Sequence, residues 1–195
     1  MLKKLFSAIL FSLALTPSYS FAEEEKAVFA GGCFWCMEAP FEKLKGVQSV
    51  VSGYIGGEKK NPTYKEVSSG ASGHIESVQV IFDNKLVSYD DLLKTYWKNI
   101  DPLDPNGQFC DKGEQYQSGI FFLNNQQKDA AEKSLLNHQK DSRFKGKKIV
   151  TFIKSASVFY EAEDYHQDYY KKNPVRYKFY RYNCGRDKRL EEVWK

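Results

Sequence analysis

The 195-residue sequence predicts an α+β sandwich. Three observations carry that expectation. Short runs that alternate apolar and polar residues, as half-buried strands do, are interspersed with segments whose apolar residues recur at helical spacing. The two kinds do not alternate strictly, which favours an α+β layer arrangement over a doubly wound parallel sheet. The chain also shows no internal repeat, so one core has to be built from unlike elements.

The first expected strand, Lys26–Ala30, leads into Gly31-Gly32-Cys33-Phe34-Trp35-Cys36 and then into Met37, Phe41 and Leu44, which are spaced as one helix face. Cys33 therefore sits at a strand-to-helix turn. Backbone N–H groups at a helix N-terminus favour an anion, so a thiol there is expected to ionise more readily than a free one. The glycines allow a sharp turn and leave room for a substrate. Free cysteine is also a small core residue, and C-x-x-C also serves as a metal half-site or a disulfide. Zinc is disfavoured because Cys110 and Cys184 stand apart and His74, His138 and His166 form no second paired set. A thioredoxin-like redox pair of Cys33 and Cys36 is the stronger rival. Two bulky aromatics between the cysteines, however, suit a small apolar group better than a docked protein thiol.

Further along, Val47–Tyr54 reads as a strand closing in the Gly56-Gly57 turn. Glu58–Gly73 reads as a polar loop too long to be a plain connection. His74–Phe82 alternates as a strand, and Ser88 caps a helix carrying Leu92, Leu93, Tyr96 and Trp97. Two prolines make Asp101–Gly107 irregular. A strand at Gly119–Leu123, an amphipathic helix at Gln126–Gln139 and a strand at Lys148–Lys154 follow. Ala162–Lys172 is expected to be a helix stopped by Asn173-Pro174, then comes a long irregular tyrosine-rich arm and a short helix at Arg186–Trp194.

Lys3 and Lys4, the apolar run Leu5–Leu15 and Ser20-Phe21-Ala22 have the order of a secretory signal peptide, with cleavage expected after Ala22. The run is short of the roughly 20 residues that cross a bilayer. Residues 1–22 are thus read as a signal peptide and 23–195 as one exported soluble domain, periplasmic if the host is Gram-negative. Without Lys3 and Lys4, 29 Lys plus Arg become 27 against 25 Asp plus Glu, a net of +2. That balance makes no case for nucleic acid. The basic, tyrosine-rich stretch Lys171–Arg189 is read as a solvated face. No heptads appear, so a monomer is expected. Four cysteines in an exported chain raise the expectation of disulfides, but a core of this size does not require them.

Five segments look more specific than their local structure needs: Gly32-Cys33-Phe34-Trp35-Cys36, Asn61-Pro62-Thr63-Tyr64, Gly73-His74-Ile75-Glu76, Asp111–Tyr116 and Glu163-Asp164-Tyr165-His166-Gln167. In this order they resemble the A-type peptide methionine sulfoxide reductases across essentially the whole chain after the signal segment. The resemblance implies a ferredoxin-like core and reduction of the S epimer of methionine sulfoxide, free or in peptides. Cys33 would attack the sulfoxide sulfur and become a sulfenic acid. Glu76, Tyr64 and Tyr116 match the residues around the sulfoxide oxygen, where a protonated carboxyl and two phenols donate hydrogen bonds. Glu76 must then be desolvated to stay protonated. Phe34 and Trp35 match the wall that holds the substrate methyl group, Asp111 an acid that orients substrate and tyrosines, and His166 a contact to the substrate main chain.

The resemblance implies no bound cofactor and no metal, but an external dithiol reductant, normally a thioredoxin-like protein. One departure stands out: Tyr177 is followed by Lys178 where many members carry a recycling cysteine. Cys184 is the first candidate to resolve the sulfenic acid, Cys110 the second and Cys36 the third. Outside the resemblance two readings stay open, a thiol-disulfide oxidoreductase using Cys33 and Cys36, and an exported peptide-binding module.

Overall fold

The computed structural model describes residues 24–195; the expected signal peptide lies outside the described residues. The elements are strands β1 (Glu24–Gly31), β2 (Val47–Ile55), β3 (Ile75–Asp83), β4 (Gly107–Gln108), β5 (Asp111–Lys112), β6 (Ser118–Phe122), β7 (Phe152–Ser155) and β8 (Tyr160–Glu161). The helices are α1 (Trp35–Glu42), α2 (Tyr64–Ser68), α3 (Tyr89–Trp97), α4 (Asn125–Lys140), α5 (Tyr169–Lys172), α6 (Pro174–Asn183) and α7 (Arg186–Trp194).

The main sheet has the order β7-β6-β1-β3-β2-β8, antiparallel except where β7 runs parallel to β6. Its centre, β6-β1-β3-β2, joined through α1 and α3, is the βαββαβ arrangement of a ferredoxin-like core, as the resemblance implied. Alternation along β1 decides what each face covers. Ala27 and Phe29 join Val78, Val80 and Phe82 under α1 and α3, where Phe41, Leu92, Tyr96 and Trp97 complete the main core. Val28 and Ala30 meet Ile55 and Phe121 on the opposite face. Burial on both faces explains why β1 reads as a continuous apolar run.

Three boundaries differ from the sequence reading. The 58–73 loop contains α2, held by a capping box in which Thr63 and Glu66 bond reciprocally. Helix is confined to α5 within Ala162–Lys172 because the Gln167 side chain docks on the edge of β2. Its Oε1 accepts from Ser52 N at 2.9 Å and its amide donates to Ser52 O at 2.9 Å and Ala162 O at 2.8 Å. Tertiary bonds there override helix propensity. The C-terminal arm is not irregular: Pro174 stands at the first turn of α6, where a missing N–H costs nothing, so Asn173-Pro174 starts a helix as well as ending one.

Candidate active site

The turn between β1 and α1 is made possible by Gly32, whose φ of 80° is left-handed backbone. It presents Cys33 at 7 % exposure, with Cys36 one turn further on at 1 %. The Cys36 N–H donates to Cys33 O at 3.1 Å, and the two side chains share a hydrogen bond. Both thiols are free. Glu76, on the neighbouring β3 and almost fully buried, accepts from the Phe34 N–H at 3.2 Å. Asp111 accepts the Tyr180 hydroxyl at 2.6 Å and the backbone N–H of Cys33. Tyr64 and Tyr116 face the same charges, Glu76, Cys33 and Asp111.

An aromatic wall closes one side. The Trp35 indole N–H donates to His166 Nδ1 at 3.1 Å, and its ring stacks on Tyr169 with centroids 3.7 Å apart. Phe34 and Tyr64 lie 5.0 and 4.4 Å from the His166 ring. Glu163 anchors the wall by accepting Tyr54 OH at 2.8 Å and Tyr64 N–H at 2.9 Å. All the site residues expected from the sequence therefore converge, and Cys110 and Cys184 do so in an unforeseen way: they are bonded to each other as a disulfide. Cys184 Sγ stands 3.9 Å from Asp111 Oδ2.

The peptide methionine sulfoxide reductase family model matches residues 25–195 of this chain. The chain belongs to that family. It is 50% identical over 171 residues to the peptide methionine sulfoxide reductase MsrA of Listeria monocytogenes serotype 4a (strain HCC23), a match covering 88% of this chain and 96% of that one. It is likewise 50% identical over 173 residues to MsrA/MsrB of Vibrio cholerae, covering 89% of this chain but 46% of that longer protein. Among solved structures, methionine sulfoxide reductase A of Corynebacterium diphtheriae superposes with TM-score 0.74 at 32% identity, covering 80% of this chain and 78% of that one. Reduced Mxr1 from Saccharomyces cerevisiae gives 0.72 at 32%, covering 80% and 90%. Methionine sulfoxide reduction is thus the chemistry of the family, and the enzyme is an oxidoreductase.

The electrostatics of this reductase site correct one expectation and agree with another. Burial pushes the Cys33 thiol well up, with Cys36, Glu76 and Asp111 adding to the rise. The helix N-terminus had suggested the reverse, but its effect is ~2 kcal/mol at most, whereas full desolvation shifts a pKa by several units. Cys33's hydrogen bond draws Cys36 down to about 6 against its burial, helped by Arg186 and Arg181. Burial raises Glu76 to about 8, as a protonated donor requires. It also raises Asp111, Tyr64 to about 12, and Tyr116. His166 is held below its usual range by burial. With Nδ1 accepting from Trp35, its proton is on Nε2, which is buried and makes no hydrogen bond, the Glu163 carboxylate standing 3.9 Å away.

Sequence reasoning missed Tyr180, Tyr169 and Arg186, and gave Glu163, named within its segment, no role of its own. Their signal was weak: tyrosines on a charged arm and one arginine among many basic residues do not announce that the arm folds back over the site.

Proposed function

We propose that this chain reduces the S epimer of methionine sulfoxide, free or within proteins, to methionine, and that it repairs oxidised exported proteins. The observation that carries the reading is the meeting of the Cys33 thiol, the buried Glu76 carboxyl and the Tyr64 and Tyr116 phenols beside the Phe34–Trp35–His166 wall. The sulfoxide methyl group packs on Phe34 and Trp35. Its oxygen takes hydrogen bonds from Glu76 and the two phenols, so charge developing on that oxygen meets preplaced donors. Cys33 sulfur attacks, the S–O bond passes from substrate to Cys33, and the thiol proton ends on that oxygen: thiol plus sulfoxide becomes sulfenic acid plus thioether. The free His166 Nε2–H serves a substrate carbonyl, and Asp111 orients Tyr180 and the Cys33 loop.

The sulfenic acid is then resolved by a thiol. Cys184 and Cys110 offer none while bonded to each other, whereas Cys36 already shares a hydrogen bond with Cys33. Cys36 closes the first disulfide with loss of water. The Cys110–Cys184 pair, of which Cys110 is exposed, takes the oxidation over when it is itself reduced, so that an outside reductant meets a disulfide at the surface. That reductant is a thioredoxin-like dithiol protein; yeast Mxr1 is solved in complex with Trx2. Residues 1–22 export the chain, to the periplasm in a Gram-negative host, where residues 23–195 act as one domain and as a monomer. No described helix is long and apolar enough to cross a membrane.

The test is dithiothreitol-driven reduction of methionine sulfoxide resolved into its epimers, comparing the wild type with Cys33→Ser. Loss of the S epimer alone, absent in the variant, is expected. Consumption of neither epimer by folded, reduced protein would overturn the reading and favour disulfide exchange by Cys33 and Cys36.

A further inference from the structure

Two arginines of the C-terminal helices act electrostatically on the second thiol of the pair. Arg186, at the start of α7, is 1 % exposed. Its guanidinium donates to Gly31 O at 3.0 Å, Asn99 O at 2.7 Å and Met37 Sδ at 3.0 Å, and lies 4.3 Å above the Phe109 ring. Its Nε has no partner, and among the described residues no carboxylate forms an ion pair with it. A cation buried this fully is normally paired with an anion, because leaving water is costly. Every acceptor it has found is neutral. The unpaired charge lies against Met37, the neighbour of Cys36.

Arg181 reaches the same place from α6. It donates to Tyr177 OH at 3.3 Å, and Tyr177 with Tyr169 of α5 encloses Cys36. The ionisable groups that face Cys36 are Cys33 from its own turn, Arg186 from α7, Arg181, Tyr177 and Tyr180 from α6, Asp111 from β5 and Glu76 from β3. Two of these are cations, of which Arg181 is also paired with Asp187 while Arg186 has no carboxylate partner; of the two acids, Asp111 accepts the Tyr180 hydroxyl and Glu76 accepts the Phe34 N–H.

We propose that Arg186 and Arg181 are positioning residues for the resolving step, holding Cys36 as the thiolate that attacks the Cys33 sulfenic acid. The proposal rests on the reading that Cys33 becomes a sulfenic acid. The Cys36 sulfur forms the S–S bond, the Cys33 S–O bond breaks, and the departing hydroxide takes the Glu76 proton and leaves as water. Glu76 is left as carboxylate and is reprotonated from solvent. The disulfide is later returned to two thiols by the external dithiol. This order is the reverse of a motif in which the first cysteine is the resting anion. The two thiols thus divide the work. Cys33 stays protonated until a sulfoxide arrives, and Cys36 stands ready for what Cys33 becomes.

The test is a single turnover of prereduced enzyme with the S epimer and no external reductant, at pH 7. Released methionine is measured against dimedone capture of the Cys33 sulfenic acid. In the wild type, methionine release by itself reports on the reductase reading, and its absence sinks that reading. Given release, Arg186→Met is expected to slow Cys33–Cys36 disulfide formation about tenfold, since the loss of thiolate is partly offset by the higher nucleophilicity of a more basic thiol. Dimedone capture should rise in step, and Arg186→Lys should restore most of the rate. Arg181→Met, at a less buried position, should show the same effect in smaller measure and covers the case in which Arg186→Met does not fold. Unchanged dimedone capture in a folded variant overturns the proposal. So does a ¹³Cβ titration of wild-type Cys36 that stays in the thiol form up to the ordinary cysteine range, at ~8.5.

Discussion

The Phe34 backbone N–H donates to Glu76 Oε2 across the gap between the β1–α1 turn and β3. One oxygen of the carboxyl is thereby fixed by the residue that follows Cys33. The bond favours the charged carboxylate and opposes the rise in pKa, yet burial wins.

Glu76 is therefore expected to set the alkaline limb of the reaction. Turnover should fall as pH rises through about 8, the value to which burial raises this carboxyl. Glu76→Gln keeps a donor but supplies no proton, so its activity should be lower and its alkaline limb flat. A pH–rate profile of both proteins checks this, and an unchanged alkaline limb in the variant rules Glu76 out as its source.

Glu38 titrates for a different reason. It is fully buried on α1, accepts from Ser52 Oγ and Asp168 N at 3.0 Å each, and leaves Oε2 without a partner. Burial raises it from 4.5 to about 7. A raised folded-state pKa means that the stabilisation is complete below about 4.5 and is lost as pH climbs through about 7. Glu38→Gln should flatten the fall in stability across that window in denaturant titrations at pH 5 and pH 8. A slope equal to that of the wild type contradicts the assignment.

The Trp35–His166 bond holds the wall in one arrangement. Trp35→Phe keeps most of the apolar surface but loses the N–H, and it frees His166 to change tautomer. A severalfold higher KM with a smaller change in kcat is expected, as for a group that binds substrate and transition state alike. Steady-state kinetics with a sulfoxide-containing peptide decide it; a fall in kcat alone would place Trp35 in the chemistry.

Gly32 tolerates no side chain. At φ of 80° a Cβ is strained, and it would stand 2.6 Å from Gln108 Cβ. Gln108 is held in place, its Oε1 accepting from Asp101 N at 2.8 Å and its amide donating to Asp101 O at 2.7 Å. Gly32→Ala should cost at least about 1–2 kcal/mol of stability and displace Cys33. Thermal unfolding and alkylation of Cys33 together test this, and a variant with wild-type stability contradicts it.

The Cys110–Cys184 bond closes a loop of sequence separation 74. Chain entropy sets its largest contribution near ~4 kcal/mol. Replacing both cysteines with Ser should lower the unfolding midpoint, and dithiothreitol should lower that of the wild type but leave the variant unmoved. Equal midpoints for wild type with and without reductant would show that the bond adds no stability.

Local pattern was enough to place β1, β2, β3, β6 and the cap of α3, because alternation and helical spacing follow from which side chains must leave water. The ordered segments from Cys33 to Gln167 pointed to the family and to the residues that meet at the site. The sequence by itself thus determined the kind of core and which residues stand at the turn between β1 and α1. Only the tertiary structure decided three further matters. Gln167 spends its side chain on the edge of β2 and so breaks a helix that propensity favours. The C-terminal arm folds as two helices that carry Arg181 and Arg186 to the thiol pair. And the Cys33 thiol is pushed up, because burial among acids outweighs a helix N-terminus. Each depends on groups distant in the chain, and a linear pattern contains neither their distances nor the water they exclude.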